Sequence, residues 1–361
     1  MHLLTFAQTP EDYTYRQELE KIFHKVHFVA LPKWKSILNC VAALWSSKPL
    51  QVLYFNSAEM RRKALTVLNE ERFDAVHVQH LRMSPYLAAV TDTPRILDMP
   101  DAFSLYWKRR VESATNPVVR LFNSMEQKRV ERYEPKVMSR YNLSLVCSAE
   151  DLEYLKDKHH ISSIALLPNG VDLDTFAAKD HDYSHNKTLL FTGNMDYAPN
   201  VDAVQYFVQD ILPLIHKRHP EVEFIIAGQR PVKKVSDLAS DKVKVTGFIK
   251  DLAAMYNQAS VVVAPLRFGA GTQNKVLEAM AMGVPVVCSH IGFKGLGIES
   301  GEGAIMRRSP VEFAEAVCQL LSDEKQRVVV GQKGTEVIIN GFGWDSIAVK
   351  LEQYLQQVAS K

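Results

Sequence analysis

Residues 261–287 read VVVAPLRFGAGTQNKVLEAMAMGVPVV, and this stretch decides the fold. It begins and ends with short runs of β-branched and apolar residues, which are typical of buried strands. Between the runs lie a loop that contains Gly269 and Gly271 and an apolar segment, 273–282, that has the pattern of a helix. A strand, a loop, a helix and a second strand in this order form one unit of a parallel sheet with crossover helices.

The loop and the start of the predicted helix favour the binding of an anion. Gly269 and Gly271 allow the backbone to approach a ligand without interference from a Cβ atom. The backbone N–H groups that open the helix at about Thr272 attract negative charge. Because ligands of open α/β sheets bind beyond the carboxyl ends of the strands, where this loop must lie, we expect a diphosphate there.

The predicted helix is apolar on nearly every side, yet it carries Lys275 and Glu278. Charged groups in such surroundings require partners. The carboxylate of Glu278 could accept two hydrogen bonds from the vicinal hydroxyls of a ribose, and Lys275 could face phosphate. The alternative is a simple Lys275–Glu278 ion pair, three residues apart on an exposed face. The apolar surroundings favour the ligand interpretation.

Short β-branched runs alternate with longer helical patterns along the rest of the chain, which predicts an α/β fold throughout and a doubly wound sheet in the second part. The turn-forming residues 168–174 and the polar residues 179–187 mark a domain junction. The predicted strands of the first part are His2–Ala7, Val26–Leu31, Ala75–Val78, Arg95–Leu97, Ser144–Cys147 and Ala165–Leu167. Those of the second part are Thr188–Thr192, Glu223–Ala227, Val243–Thr246, Ser260–Pro265 and Val284–Ser289, with helices at about 200–218, 250–258 and 273–282.

The composition is that of a globular protein with two domains. The chain has 361 residues, of which 47% are apolar and 23% charged, so it has material for two cores. No apolar run has the length of a membrane span; the stretch around Ile37–Trp45 is too short and is interrupted by Asn39. The four cysteines are far apart and the first residues lack a signal peptide, which together predict a cytoplasmic protein.

Several motifs of common enzyme classes are missing from the sequence. No G-x-G-x-x-G opens a helix and no G-x-x-x-x-G-K-[ST] is found, so a nicotinamide dehydrogenase and a P-loop enzyme lose support. The G-x-S-x-G and H-E-x-x-H motifs of hydrolases and zinc proteases are also missing. The class of function that remains is the binding of a nucleotide without hydride transfer or ATP chemistry.

Three stretches together resemble glycosyltransferase family 4. They are PNGVD at 168–172, which is followed by Phe176, FTGNMDYAPN at 191–200, and the block 269–287. Members of this family have two Rossmann-like α/β domains that face each other across a cleft, the GT-B fold. The resemblance covers nearly the whole chain and is greatest to bacterial sugar transferases associated with exopolysaccharide synthesis. It implies an acceptor-side domain at 1–170, a nucleotide-sugar-binding domain at 171–343, and a helix at 344–361 that packs back on the first domain.

The resemblance also implies chemistry. Members transfer a sugar from a nucleoside diphosphate sugar, with retention of anomeric configuration and with neither a metal nor another cofactor. Glu278 matches the second glutamate of the family's E-x-x-x-x-x-x-x-E motif, which holds the ribose. The first glutamate is replaced by Ala270, so a side-chain contact with the donor sugar is in doubt. The backbone amides of Gly269, Ala270, Gly271 and Thr272 could serve instead.

Further contacts follow from the same resemblance. Many members neutralise the diphosphate with an arginine and a lysine near the start of the second domain, where this chain has Gly193, Asn194 and Asn200. Lys275 and Arg267 would then supply the positive charge.

Two more positions are assigned by the resemblance. The loop that contains Gly247 and Phe248 would frame the base through backbone groups. His80 is the candidate for a family histidine that touches the donor sugar, although a structural role is equally open. Asp98 and Asp101 fit either acceptor binding or a turn.

The first domain begins at what resembles the second strand of the family fold. An upstream strand and a glycine-rich loop are therefore expected. Either the start codon was assigned too far downstream, or the protein is truncated and its acceptor site is compromised.

The sequence thus predicts a retaining glycosyltransferase that acts on a lipid-linked or polysaccharide hydroxyl, with His80, Lys275 and Glu278 as its catalytic set and no nucleic-acid partner. The alternatives are a non-catalytic nucleotide-sugar-binding homologue and a nucleotide-sugar epimerase of the same fold. Residues 101–140 contain nine basic and five acidic side chains, which favours a peripheral contact with an anionic membrane. A solvated helical face explains the same charges.

Overall fold

The computed structural model describes residues 1–41, 46–88, 90, 92–178, 181–185, 187–269, 272–293 and 296–360. It divides into two compact units. The first contains Met1–Val146, Tyr154–Ala165 and Gln353–Lys361, and the second contains Cys147–Glu153 and Leu166–Glu352. The domain limits given above, and the packing of the last helix, stay predictions.

The strands of the first unit form two parallel sheets. Strands β1 (His2–Ala7) and β2 (Lys25–Ala30) pair with each other, with Leu4 opposite His27. The other sheet has the order β3-β4-β5-β6. Its strands are β3 (Val76–Gln79), β4 (Arg95–Met99), β5 (Leu143–Val146) and β6 (Ile164–Leu166). All six predicted strands of the first part are confirmed; β1 has the predicted limits, and the limits of the other five differ by one or two residues. The expected strand upstream of Met1 lies outside the sequence and stays a prediction.

Helices connect these strands, and two 3-10 turns, Pro10–Tyr15 and Leu81–Tyr86, complete the connections. The helices are α1 (Arg16–Leu19), α2 (Lys33–Val41), α3 (Leu50–Tyr54), α4 (Ala58–Glu70), α5 (Phe103–Ser113), α6 (Pro117–Met138) and α7 (Ala149–His159). The longest, α6, begins where the side chain of Asn116 accepts hydrogen bonds from the N–H groups of Val118 and Val119, as an N-cap does.

The second unit contains one parallel sheet of six strands, in the order β12-β11-β10-β7-β8-β9. Its strands are β7 (Thr188–Thr192), β8 (Glu223–Ala227), β9 (Val243–Gly247), β10 (Val261–Ala264), β11 (Val286–Ser289) and β12 (Ala304–Arg307). The chain adds β8 and β9 on one side of β7 and then returns to add the other three strands on the opposite side. The predicted doubly wound sheet is therefore confirmed, and β12 is an additional strand that was not predicted from the sequence.

The helices of this unit cover both faces of the sheet. They are α8 (Ala198–Tyr206), α9 (Leu212–His216), α10 (Lys233–Ser236), α11 (Leu252–Asn257), α12 (Asn274–Ala281), α13 (His290–Phe293), α14 (Pro310–Ser322) and α15 (Glu324–Gly341). The last helix, α16 (Trp344–Ala359), begins in this unit, and its residues from Gln353 onward belong to the first. The helix predicted at 200–218 is divided by a π turn at Phe207–Ile211. Pro213 explains the division, because proline has no N–H to donate to the preceding turn.

The core of the second unit contains the central strands and α12. Val276, Leu277, Ala279 and Met280 are fully buried, as their apolar surroundings in the sequence predict. Burial of a large aliphatic side chain contributes about 1.5–3 kcal/mol. Helix α12 is thus held firmly against the sheet. No helix in the described part of the chain combines the length and the hydrophobicity that a bilayer span requires.

Candidate functional site

The loops that follow β7 and β10 lie side by side in the second unit. These strands are hydrogen-bonded neighbours, although β8 and β9 come between them in the sequence. The direction in which strands are added reverses at this point. In an open parallel sheet, the crevice beyond the carboxyl ends of the strands at such a reversal is where ligands bind. Helices α8 and α12 follow the two strands and border the crevice.

Glycines allow three neighbouring loops to meet at this edge of the sheet. Gly193 follows β7 with a φ of +150°, and a Cβ atom there would lie 2.6 Å from Nδ2 of Asn200. Gly228 follows β8 with a φ of +153°, and a Cβ atom there would lie 1.7 Å from the carbonyl oxygen of Gly193. The N–H of Gly228 in turn donates to the carbonyl of Gly247, at the end of β9, over 3.0 Å. The backbone itself therefore forms this edge of the site.

Lys275 is buried at the start of α12 and spans the crevice toward α8. Its Nζ donates to Oδ1 of Asn200 over 3.0 Å and to Oε1 of Gln273 over 3.4 Å, and it lies 4.9 Å from the centre of the Phe191 ring. Asn200 is itself oriented, because its Nδ2 donates to the carbonyl of Asn194 over 3.0 Å.

Burial lowers the pKa of Lys275 to about 8, while Glu278 acts in the opposite direction. The ammonium group is therefore still mostly protonated at neutral pH. Its hydrogen-bond partners in the described part of the chain are two neutral amide oxygens, which do not cancel its charge. A buried cation with such partners is a favourable place for an anionic ligand.

Glu278 lies one turn further along α12, and a tyrosine fixes its side chain. The hydroxyl of Tyr256 donates to Oε2 of Glu278 over 2.8 Å and pairs with Oγ1 of Thr192 over 2.8 Å. Burial raises the pKa of Glu278, whereas Tyr256 and Lys275 act to lower it. Within the described residues, no hydrogen bond reaches Oε1 of Glu278. One carboxylate oxygen is thus held and the other is available for a ligand.

The alternative of an exposed Lys275–Glu278 ion pair is wrong. Lys275 is only 8% exposed, and its ammonium contacts amide oxygens, while the carboxylate of Glu278 accepts from Tyr256. The apolar residues around both side chains explain this outcome, because they place this face of α12 against the sheet.

Arg267 is arranged differently from Lys275. Its Nε and Nη2 donate to the two carboxylate oxygens of Asp202 over 2.8 and 2.5 Å, and its guanidinium lies 4.7 Å from the centre of the Tyr206 ring. Hydrogen bonding to Asp202 raises the pKa of Arg267. Since Asp202 already compensates its charge, Arg267 would have to leave this partner to neutralise a diphosphate, and that role stays a prediction.

The glycine loop before α12 is described in part. Ala270 and Gly271 lie outside the described residues. Gly269 has a φ of +142°, and among the described residues the atom closest to the position its Cβ would take is Cγ2 of Ile291, at 3.9 Å. Thr272 is buried, its Oγ1 donates to the carbonyl of Cys147 over 2.8 Å, and its N–H points at Sγ of Cys147 over 3.4 Å. An anion at Thr272 would therefore compete with a contact that already exists.

The other predicted contact of this unit is the loop after β9. Gly247 has a φ of +71°, and no atom lies within 4 Å of the position its Cβ would take. Phe248, which follows, is 74% exposed. An exposed ring next to a sharp backbone turn fits the predicted frame for a base, and that role stays a prediction.

His80 belongs to the first unit and directly follows β3. Its ring packs on Phe103 with centroids 4.8 Å apart, and its Nδ1 accepts from the N–H of Arg82 over 3.4 Å. Burial, with the charge of Arg82, lowers its pKa to about 4, so the ring is neutral and Nε2 carries the proton. Its φ of +80° is strained for a residue other than glycine, and such strain is concentrated at functional sites.

Sequence reasoning missed Tyr256. Its side chain is fully buried, and it holds Glu278 from a helix 22 residues earlier in the chain. The sequence does place a tyrosine in the apolar segment that forms α11, and a buried tyrosine hydroxyl needs a hydrogen-bond partner. The sequence could not identify that partner.

Comparisons with known proteins identify similar sequences and a similar fold. Residues 186–323 match the family model described as glycosyl transferases group 1. A GDP-mannose-dependent alpha-(1-6)-phosphatidylinositol monomannoside mannosyltransferase of Mycobacterium tuberculosis is 29% identical over 219 residues, which are 54% of this chain and 56% of that protein. An uncharacterized 44.6 kDa protein in the cps region of Klebsiella pneumoniae is 27% identical over 169 residues, 44% of this chain and 42% of that one. The chain spans about half the length of these curated relatives.

A solved structure extends the likeness of fold to the whole chain. Anabaena HepE in complex with UDP and glucose superposes with a TM-score of 0.68 and 14% identity over 99% of this chain and 100% of that one. The fold of the chain is therefore similar to the GT-B fold of glycosyltransferase structures. The sequence match to the glycosyl transferases group 1 model covers residues 186–323, which lie in the second unit.

Proposed function

We propose that the protein is a retaining glycosyltransferase that moves a hexose-type sugar from a nucleoside diphosphate sugar to a hydroxyl acceptor. The observation that carries the proposal is the pair on α12. Lys275 presents a buried ammonium held by neutral amides, and Glu278 presents one free carboxylate oxygen a single turn away. Both side chains border the crevice at the strand reversal of the matched domain.

Glu278 and Lys275 bind different parts of the donor. Oε1 of Glu278 accepts hydrogen bonds from the ribose hydroxyls, and Lys275 with the amino end of α12 binds the diphosphate. As the bond between the anomeric carbon and the phosphate oxygen breaks, negative charge develops on the leaving group, and a fixed cation stabilises that charge. The acceptor oxygen bonds to the same face of the anomeric carbon, and its proton passes to the departing phosphate. No side-chain nucleophile is required.

The donor, the acceptor and the cellular setting follow by analogy. One relative depends by name on GDP-mannose, and the similar solved structure holds UDP and glucose, so the proposed donor class is a nucleoside diphosphate hexose. The relative from a cps region supports a role in exopolysaccharide or glycolipid synthesis. The acceptor is then a lipid-linked or polysaccharide hydroxyl. We place the reaction in the cytoplasm, with a peripheral contact at the inner face of the membrane and with no metal or other cofactor.

Titration calorimetry with UDP and with GDP tests the site. Glu278→Gln should weaken the binding of the preferred nucleotide by about 10- to 100-fold, since hydrogen bonds to a charged group are worth about 1.5–3 kcal/mol. Glu324→Gln, at an exposed position of α15, is the matched control and should bind normally. Equal affinity in both variants would refute the proposed site.

Product analysis with UDP-glucose and GDP-mannose separates the alternatives. Ala270, which replaces a family glutamate, is the feature that favours a non-catalytic nucleotide-sugar-binding homologue. Binding without turnover across varied acceptors would support that homologue. Conversion of the donor in the absence of any acceptor would support an epimerase.

A further inference from the structure

Helix α2 of the first unit presents its apolar side to solvent. Trp34, Ile37, Leu38 and Val41 lie on one face at helical spacing, and they are 59%, 61%, 60% and 53% exposed. The opposite face is polar, because Ser36 is fully buried and Asn39 donates to the carbonyl of Asn56. This is the reverse of the arrangement in an ordinary amphipathic helix on a globular core.

The first turns of α6 show the same arrangement as α2, with apolar side chains exposed and polar side chains buried. Val118, Leu121, Phe122 and Met125 follow the same spacing and are 75%, 65%, 47% and 50% exposed. The buried residues of these turns are polar: Asn123 donates to the carbonyl of Arg110 over 3.0 Å, and Glu126 is 1% exposed. Eight large apolar residues on two helices are therefore held in water by polar anchors beneath them. We call these eight residues the apolar stripes.

Glu126 of α6 connects the two stripes through α3, the helix on which α2 packs. Oε2 of Glu126 accepts from the N–H of Leu50, the first residue of α3, over 2.9 Å. Helix α2 packs on α3, and Glu126 adds to the effect of burial in raising the pKa of the Cys40 thiol on α2. The amino end of α6 and the carboxyl end of α2 thus lie over the same buried group.

Positive charge surrounds the stripes. Helix α2 contains Lys33 and Lys35 and no acidic residue, and the first three turns of α6 contain Arg120 and no exposed acidic residue. Further along α6, Lys128 and Arg132 are exposed, whereas Glu126 and Glu134 are buried. Two acidic side chains of α6 are therefore buried, whereas the basic side chains named here are exposed.

We infer that the apolar stripes insert into the interfacial layer of an anionic membrane, with α2 and the amino end of α6 lying in its plane. An exposed apolar face rimmed by lysine and arginine is the pattern of interfacial helices, which bury their apolar side at the level of the headgroups. The basic rim supplies attraction to anionic lipids. The inference deepens the peripheral contact in the proposed function, on which it rests, by naming the surface and the lipid class. The protein would then meet a glycolipid or lipid-linked acceptor at the membrane that contains it.

Sedimentation of the full chain with lipid vesicles tests the inference. The probes are phosphatidylcholine vesicles with and without phosphatidylglycerol. The protein should bind the anionic vesicles far better than the neutral ones. The double variant Leu38→Ser, Leu121→Ser should lower partition at least about tenfold, because it removes apolar area from the inserted face. The double variant Lys35→Gln, Arg120→Gln should lower binding to anionic vesicles about fivefold per charge removed.

The matched control is Val329→Ser with Val349→Ser, which changes two valines of α15 and α16 that are 52% and 54% exposed. Its partition should equal that of the unaltered protein. All variants alter exposed side chains, so their thermal unfolding should match, and nucleotide affinity should be unchanged in each. Nucleotide binding without vesicle binding would overturn this inference and leave the proposed site intact.

Two further results would also overturn the inference. One is equal partition of the stripe variant and the control. The other is a dimer in light scattering that the stripe variant abolishes, since the stripes would then cover a second copy of the chain.

Discussion

Helix α12 and the amino end of α6 both break the usual distribution of polar residues, but they do so in opposite ways. In α12, a lysine and a glutamate are drawn among apolar residues, and their charges are only partly satisfied by neighbours. In α6, the buried Glu126 accepts from Leu50 and the buried Asn123 donates to Arg110, while large apolar residues are exposed to solvent. A buried charge held by neutral groups predicts a ligand inside the site, whereas a row of exposed apolar side chains predicts a partner outside the molecule.

The largest expected effect concerns stability and falls on α6. Glu126→Ala leaves the N–H of Leu50 without its acceptor and removes the ion pair with Arg129 at 2.7 Å. An unsatisfied buried donor costs about 1–3 kcal/mol, and more where a charged group is involved, so the free energy of unfolding should fall by about 3 kcal/mol in urea titration. Glu126→Gln keeps an acceptor oxygen and should lose less than half as much. Equal losses in the two variants would show that the carboxylate is not an anchor.

The next effect tests the charge on α12 through pH. Burial lowers the pKa of Lys275 to about 8, so the ammonium loses its proton as the pH rises through that value. Affinity for UDP or GDP should change little near pH 7, be about halved near pH 8 and then fall by up to about tenfold per pH unit. The terminal phosphate has already ionised below pH 7 and adds no change in this range. Lys275→Met should bind weakly with a flat profile, and a sloping profile in that variant would assign the titration to another group.

A smaller effect should come from Tyr256, which we interpret as a positioning residue for Glu278. Tyr256→Phe removes the hydrogen bonds to Glu278 and Thr192 and keeps the ring that packs 5.9 Å from Phe176. Nucleotide affinity should fall about three- to tenfold, which is the value of one net hydrogen bond. A purely structural role predicts lower stability with normal affinity, and thermal unfolding measured beside calorimetry distinguishes the two outcomes.

The sequence could predict those parts of the fold that depend on local patterns. Strands β7 and β8 have the predicted limits, because their β-branched runs are bounded by polar residues and turns. The burial of α12 also follows from its composition. The short strand β12, which ends in a polar residue, carries too weak a pattern to be recognised.

Contacts between residues that are far apart in the sequence cannot be predicted from local patterns. The bond between Tyr256 and Glu278 joins two helices, and the one between Lys275 and Asn200 joins residues 75 positions apart. The spacing of Trp34, Ile37 and Leu38 predicts an apolar face without telling which way it points. The burial of Ser36 and the hydrogen bond from Asn39 to the carbonyl of Asn56 show that the opposite face points inward.

The strand order of the second unit has a consequence for synthesis on the ribosome. Thr188 and Ser260 are bonded across β7 and β10 although 72 positions separate them. Until β10 has been translated, one side of β7 offers unpaired N–H and C=O groups, which is the kind of edge that invites pairing with other chains. Emergence of the segment at 261–264 closes that edge, so an interruption of translation just before it should leave a nascent chain that depends on chaperones.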